Sequence, residues 1–225
     1  MLVAKGLADK SLLETYNEER LPVISEMLEM TTSILSQTMK TGDMTSGRTS
    51  KLFMLGINCR FSSIVLDEFR APIVGKPINA YGVLDEGQLE AGDRAPDAPK
   101  LLCIQPTESE VTTLFSVYKP WYHTVLVFVQ GLADATPVLA SLESYDTSVV
   151  RSAVMLPSSA PTTSTLITSP ADLVLVDQGG HAYSAYLVEA MQTKVFVIRP
   201  DGVIGAIVHG AEGVKKYLSQ VFLDM

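Results

Sequence analysis

Residues 173–222 decide the fold, and they read LVLVDQGGHAYSAYLVEAMQTKVFVIRPDGVIGAIVHGAEGVKKYLSQVF. The apolar run Leu173–Val176 predicts a buried strand, and the Asp-Gln-Gly-Gly sequence after it predicts a turn into a short helix. Two β-branched runs, Val195–Ile198 and Val203–Val208, flank a Pro-Asp-Gly turn and predict a hairpin. Apolar residues at helical spacing then predict a closing helix over Glu212–Phe222.

Upstream runs extend this pattern. Leu101–Ile104 predicts a short strand, and residues 108–117 predict a helix or a turn. His123–Val129 is a continuous β-branched run, typical of a central strand buried on both faces. Thr136–Tyr145 predicts a helix capped by its threonine with proline at the first position, and Val149–Leu156 predicts the next strand. This order implies a βαβ crossover and predicts a thioredoxin-like α/β domain with a mixed central sheet.

The N-terminal part of the chain predicts helices. Ser11-Leu12-Leu13-Glu14 has the spacing of a capping box that begins a helix. We expect a break or kink at Pro22, which would also begin a second helix near its first position. Leu2 to Leu7 resembles the tail of a helix that begins upstream, as if the chain were cut from something larger.

Charged and apolar residues of these helices have simple interpretations. The methionines are interpreted as filling gaps in a packed face rather than as a soft ligand site; they are Met27, Met30 and Met39. The charged group is interpreted as a solvated face with i,i+4 pairing. It comprises Glu14, Glu18, Glu19 and Arg20.

The composition predicts three parts. A helical segment covers residues 1–70, where residues 42–50 read as a loop and 51–66 as a short helix or a strand pair. An extended linker rich in proline and glycine covers 71–99, and the thioredoxin-like domain covers 100–225. Within that domain, the Ser/Thr/Pro-rich residues 157–170 predict a mobile loop.

Charge and cysteine content bound the function. The net charge of −8 disfavours a nucleic-acid partner, which would need a basic face. No apolar run reaches the roughly 18 residues of a membrane-spanning helix, and the first residues do not resemble a signal peptide. Cys59 and Cys103 form no CxxC or metal-ligand spacing and are interpreted as reduced, buried thiols, which predicts a cytoplasmic protein.

Four stretches together resemble one family. These are SLLETYNEERLPV (11–23), GDRAPDAP (92–99), LVDQGGHAYSAYLV (175–188) and VFVIRPDGVIGAIV (195–208). In this order they resemble the C-terminal part of FAD-dependent aromatic monooxygenases of the phenol hydroxylase type. The resemblance implies that the first stretch ends a FAD- and substrate-binding domain. The second would open a thioredoxin-like, peroxiredoxin-like domain used mainly for dimer contacts and structure.

The resemblance does not supply the family's FAD site. That site needs a strand–GxGxxG–helix for the pyrophosphate and a Gly-Asp-Ala motif, and neither occurs in the sequence. We therefore predict no cofactor in this chain, although the family uses FAD and NADPH. The chain would be a fragment, a truncated product or one piece of a split enzyme.

Thiol catalysis is also disfavoured. A thioredoxin or peroxiredoxin needs a cysteine where the helix after the central strand begins, because the helix dipole lowers the pKa of the thiol there. Residues 130–137 (QGLADATP) contain none. We predict no catalytic residue in the chain.

The remaining polar and aromatic residues favour structural roles. The histidines His123, His181 and His209 lack a second ligand at i+3 or i+4, so no metal site is predicted. Turn positions are the preferred role for five residues, namely Asp177, Gly180, Pro200, Asp201 and Gly202. An aromatic cluster precedes the central strand and suits core packing, an interface or a small-ligand surface. It comprises Tyr118, Trp121 and Tyr122.

Three functions stay open. The chain is a non-catalytic module for dimerisation or for binding a flavin domain, or part of an FAD- and NADPH-dependent hydroxylase completed by a separate flavin domain. As a third alternative, it is a small-molecule carrier that uses the gap between the helical segment and the sheet domain. Exposed apolar surface on residues 22–39 would favour assembly, and a closed apolar cavity would favour the carrier.

Overall fold

The computed structural model describes residues 2–42, 56–71, 78–82, 87–106, 109–160, 169–189 and 191–223. Its helices are α1 Glu14–Thr41, α2 Leu114–Val117, α3 Leu132–Ala140, α4 His181–Ala185 and α5 Ala211–Val221. Its strands are β1 Leu66–Asp67, β2 Leu101–Gln105, β3 Ser109–Thr112, β4 His123–Phe128, β5 Val150–Pro157, β6 Leu173–Asp177, β7 Lys194–Ile198 and β8 Ile204–Val208. Short 3-10 turns at Val3–Lys5 and Lys10–Leu13 precede α1.

One mixed sheet contains all the strands of the described residues, in the order β1-β8-β7-β4-β5-β6-β2-β3. β4, β5 and β6 run parallel, and α3 connects the first two, so the predicted βαβ crossover is confirmed. β7 and β8 form the predicted antiparallel hairpin, and β7 pairs with β4. With α1 in front, this is the predicted thioredoxin-like α/β fold with an N-terminal helical segment.

The sheet separates two apolar layers. In β4, Val125 and Val127 face the layer covered by α3 and α5, whereas Leu126 and Phe128 face the layer covered by α2 and α4. Every residue of β4 is buried, because the strand lies inside the sheet and both of its faces are covered. The predicted central strand is confirmed. None of the helices in the described residues combines the length and apolar character that crossing a bilayer requires.

The predicted break at Pro22 is wrong, because α1 is one helix of 28 residues with Pro22 inside it. A proline removes a single i→i−4 hydrogen bond, and helix-forming residues on both sides keep the remaining bonds. The predicted capping box is also wrong. The carboxylate of Asp9 accepts a hydrogen bond from the backbone N–H of Ser11 at 2.8 Å, and α1 begins only at Glu14.

Two predicted elements of the sheet domain begin elsewhere. α3 begins at Leu132 rather than Thr136, because the carboxylate of Asp134 accepts a hydrogen bond from the N–H of Gly131 and caps an earlier turn. Pro137 consequently lies inside the helix rather than at its first position. The predicted helix or turn at 108–117 is partly wrong, since β3 pairs with β2 before the short α2 begins.

The other differences lie near the segment boundaries. Within residues 56–66, turns lead into β1, so neither the predicted short helix nor the strand pair forms there. Of the predicted mobile loop at 157–170, residues 161–168 lie outside the described part of the chain. The same holds for most of the predicted loop at 42–50.

The segment around GDRAPD runs beside β8. The N–H of Gly92 donates to the carbonyl of Ile204 at 2.7 Å, and the N–H of Ile204 donates to the carbonyl of Asp93 at 2.8 Å. Gly92 has φ +97°, and a Cβ there would overlap the backbone of Arg60, so only glycine fits this position. The proposed boundary within 71–99 stays a prediction, although Gly92 and Asp93 of this range hydrogen-bond to β8.

Candidate functional site

A buried ion-pair network joins α1 to the β7–β8 turn. Arg199 donates two hydrogen bonds to the carboxylate of Glu19, at 2.5 and 2.9 Å, and two more to Asp201, at 3.2 and 2.7 Å. The hydroxyl of Ser62 donates to Glu19 at 2.7 Å. The side chains of Glu19 and Arg199 are only 6% and 11% exposed. The solvated face predicted for Glu19 is therefore wrong.

Burial alone would raise the pKa of Glu19, but the Arg199 guanidinium and the Ser62 hydroxyl hold it below its usual range. The carboxylate is thus charged at neutral pH, and its charge is matched by a bidentate arginine. Such a pair fixes the position of α1 against the sheet because breaking it would leave a charge buried without a partner.

The two predicted turns have distinct roles in the structure. In the β7–β8 turn, Gly202 has φ +79°, and Asp201 accepts a hydrogen bond from the N–H of Val203 at 3.2 Å while also pairing with Arg199. Pro200 lies between the two members of that pair. After β6, the carboxylate of Asp177 is buried and accepts three hydrogen bonds from the first N–H groups of α4, at 2.7 to 3.1 Å.

Gly180 precedes α4 with φ +67° and provides the left-handed turn that lets Asp177 cap the helix. Asp177 therefore ends β6 and caps α4. Both turn motifs therefore hold the backbone that follows a strand, through the carboxylates of Asp177 and Asp201. The sequence did not indicate that Asp201 also belongs to an ion-pair network.

The predicted aromatic cluster divides into three environments. Tyr122 is buried, and its hydroxyl donates to the carbonyl of Val117 at 3.0 Å. The hydroxyl of Tyr118 contacts that of Tyr186 inside the layer under α2 and α4. Trp121 is half exposed.

Trp121 lines a cavity of about 360 Å³ between the N-terminal segment and the sheet domain. Leu12 and Tyr16 form its wall on the N-terminal side. On the opposite side, two buried side chains have polar atoms without a hydrogen-bond partner in the described residues, the Nδ1 of His123 and the hydroxyl of Tyr217. Sequence reasoning treated His123 as a strand-end residue and did not single out Tyr217.

The position used for thiol catalysis in this fold has no cysteine. The first turn of α3 contains Gly131 and Asp134, which hydrogen-bond to each other. Cys59 and Cys103 are free and buried elsewhere. Burial raises the pKa of Cys59 to about 11, so this thiol is protonated at neutral pH and is a poor nucleophile.

One face of α1 exposes apolar side chains. Five large apolar residues are 47% to 80% exposed and fall within about 60° of the helix circumference at 100° per residue. This apolar stripe consists of Leu21, Ile24, Leu28, Leu35 and Met39. The interpretation of Met39 as a filler of a packed face is wrong, since it is the most exposed member.

No family model matches the sequence. A flavin-dependent monooxygenase from Mycobacteroides abscessus is 25% identical over 214 residues, which are 95% of this chain and 32% of that protein. The structure of the flavin-dependent monooxygenase PieE, solved in complex with FAD and substrate, matches 97% of this chain and 42% of its own, with a TM-score of 0.60 and 15% identity. The chain resembles the C-terminal part of a flavin-dependent monooxygenase.

The chain therefore spans about a third of the length of that monooxygenase relative. Two structures of thiol proteins match a part of this chain. A DsbE-type thiol:disulfide interchange protein from Chlorobium tepidum covers 59% of this chain at 18% identity, with a TM-score of 0.47. A peroxiredoxin-like protein from Aquifex aeolicus covers 60% at 16% identity, with a TM-score of 0.41.

Proposed function

We propose that this chain is a non-catalytic thioredoxin-like module of a phenol-hydroxylase-like flavoprotein, and that it acts in assembly by binding a flavin domain through the apolar stripe of α1. The stripe is the observation that carries the proposal. It is contiguous, exposed and apolar on a helix whose opposite side is anchored by Glu19. Exposed surface of this kind marks a contact site.

The flavin domain is the partner that fits best. The monooxygenase relative matches this chain over only 32% of its own length, so two thirds of that protein remain to contact such a surface. Burying the five side chains of the stripe would contribute roughly 1 kcal/mol each. A second copy of the chain is the alternative occupant, and the module would then act in dimerisation.

Two further observations support a non-catalytic role. The helix after the central strand begins without a cysteine, and the pKa of the Cys59 thiol is too high for a nucleophile at neutral pH. The sequence also lacks the GxGxxG fingerprint of an FAD site. Any FAD- and NADPH-dependent hydroxylation would therefore need a flavin domain beyond these residues. Two free thiols agree with a cytoplasmic protein.

The first test is a visible absorption spectrum of the purified chain, taken before and after addition of FAD and desalting. A colourless protein agrees with the proposal, and retained flavin absorption would overturn it. Light scattering then measures the mass of the chain alone and after mixing with the remaining two thirds of the Mycobacteroides abscessus relative. We expect a heteromeric complex and a monomer in isolation. A stable dimer of the chain that does not bind the flavin domain would overturn the choice of partner.

A matched pair of variants locates the contact. Leu28→Asp places a charge in the centre of the stripe and is expected to abolish the complex. Ser33→Asp adds the same charge at an exposed position about 140° away around α1, and is expected to leave the complex intact. Equal loss of binding in both variants would contradict a contact through the stripe.

A further inference from the structure

A second cavity, of about 500 Å³, is lined by three cationic side chains from three parts of the chain. Arg20 belongs to α1, Arg94 lies in the segment beside β8, and Lys119 follows α2. None of the three forms an ion pair within the described residues, and Arg20 contacts only the ring of Tyr16, at 5.9 Å from its centroid. In a protein whose net charge is −8, this cationic cavity indicates an anionic ligand.

The charges around the cationic cavity do not cancel. Asp201 is the one carboxylate among its lining residues in the described part of the chain, and it already accepts two hydrogen bonds from Arg199. Arg199 also pairs with Glu19, so these three residues together carry one negative charge. One negative charge against the three cations leaves two positive charges. A ligand with two negative charges would therefore neutralise the cavity.

Much of the remaining wall is apolar. Phe115 is 59% exposed and packs beside Tyr118, with 6.4 Å between the ring centroids. Ile57 and Ala95 also line the cavity, and the Cys59 thiol adds no charge because burial raises its pKa to about 11. A volume of about 500 Å³ lies within the usual range of ligand pockets. These walls suit a ligand that joins a compact anion to a small apolar group.

We propose that the cationic cavity binds a small phosphate monoester through Arg20, Arg94 and Lys119. A phosphate monoester concentrates nearly two negative charges on three oxygens, and a guanidinium group binds such oxygens with two parallel hydrogen bonds. The lysine ammonium adds a third cation on a flexible stem. The apolar part of the ester would lie against Phe115. The site includes no residue of the apolar stripe of α1, so binding here does not depend on the assembly role.

Titration of the intact chain with phenylphosphonate tests the proposal, because this mimic of a phosphate monoester carries mainly two charges at pH 8. Isothermal titration calorimetry should show saturable binding of one molecule. Benzenesulfonate has a similar shape but one charge, and we expect it to bind about tenfold more weakly. Inorganic phosphate lacks the apolar group and should bind roughly threefold more weakly or worse. Absence of saturable phenylphosphonate binding up to millimolar concentration, or equal binding of either comparison anion, would overturn the proposal.

Two matched pairs of variants assign the binding to the cavity. Arg94→Gln removes one cation and is expected to weaken phenylphosphonate binding by about tenfold, the effect of one charge-assisted hydrogen bond. Arg151→Gln removes the same charge on β5, where the guanidinium lies over the ring of Tyr122, and is expected to leave the affinity unchanged. Lys119→Gln is compared in the same way with Lys216→Gln, an exposed position of α5. Equal affinities within either pair would overturn the assignment.

Discussion

Replacing Glu19 by glutamine tests whether the buried ion pair holds α1 against the sheet. Glu19 accepts two hydrogen bonds from Arg199 and one from Ser62, and its side chain is 6% exposed. Glutamine keeps the size and one acceptor oxygen, but it removes the charge and places an NH₂ group against the guanidinium. Because Arg199 keeps its pair with the partly exposed Asp201, the loss should be smaller than the roughly 3–5 kcal/mol of a fully orphaned buried charge.

We therefore expect Glu19→Gln to lower the free energy of unfolding by about 2–3 kcal/mol at pH 7. Urea unfolding followed by circular dichroism measures this change. Glu29→Gln, the same replacement at an exposed position of α1, serves as the control and should cost less than about 0.5 kcal/mol. A double-mutant cycle with Arg199→Met isolates the pair itself. If Glu19→Gln costs no more than Glu29→Gln, or the coupling energy is near zero, the network does not stabilise the fold.

Three other predictions follow from buried polar groups. The folded-state pKa of His123 is about 4, below the ordinary value of 6.5, so between these values the unfolded state binds the extra proton. Stability should thus fall by about 3 kcal/mol as pH drops from 6.5 to 4, and His123→Gln should flatten that part of a urea-measured pH profile. Tyr217→Phe should leave the free energy of unfolding unchanged or raise it by up to about 1 kcal/mol, whereas Tyr122→Phe should lower it by about 1 kcal/mol; the reverse order would contradict the assigned hydrogen bonds. Alkylation of Cys59 by iodoacetamide at pH 8, followed by mass spectrometry, should be at least tenfold slower in the folded protein than in denaturant, because burial raises its pKa to about 11.

The elements that follow from local sequence were predicted well. β4, β6, β7 and β8 coincide with β-branched or apolar runs, and the Pro-Asp-Gly turn joins the last two strands. A strand that is buried on both faces of a sheet is apolar along its whole length. Its position can therefore be predicted from the apolar run alone. Boundaries set by one side chain were missed, as at α3, where Asp134 rather than Thr136 caps the first turn.

The candidate sites were less predictable. Helical spacing alone predicts that the apolar residues of α1 share one face. It does not predict whether the rest of the chain covers that face or leaves it exposed. Glu19 shows the same limit. Its neighbours in sequence are polar and suggest a solvated face, and its partner Arg199 is 180 residues away.

The sequence by itself determined the strand and helix order of the sheet domain, the tight turn at Gly202, and the lack of a cysteine where this fold places its reactive thiol. These depend on residue type and on spacing within a few residues. Only the tertiary structure decided that Glu19 is buried against Arg199, that Gly92 lies where no Cβ fits, and that the buried rings of His123 and Tyr217 contact each other. Such features arise when distant segments meet, and the energy of that contact depends on distances that no local pattern contains.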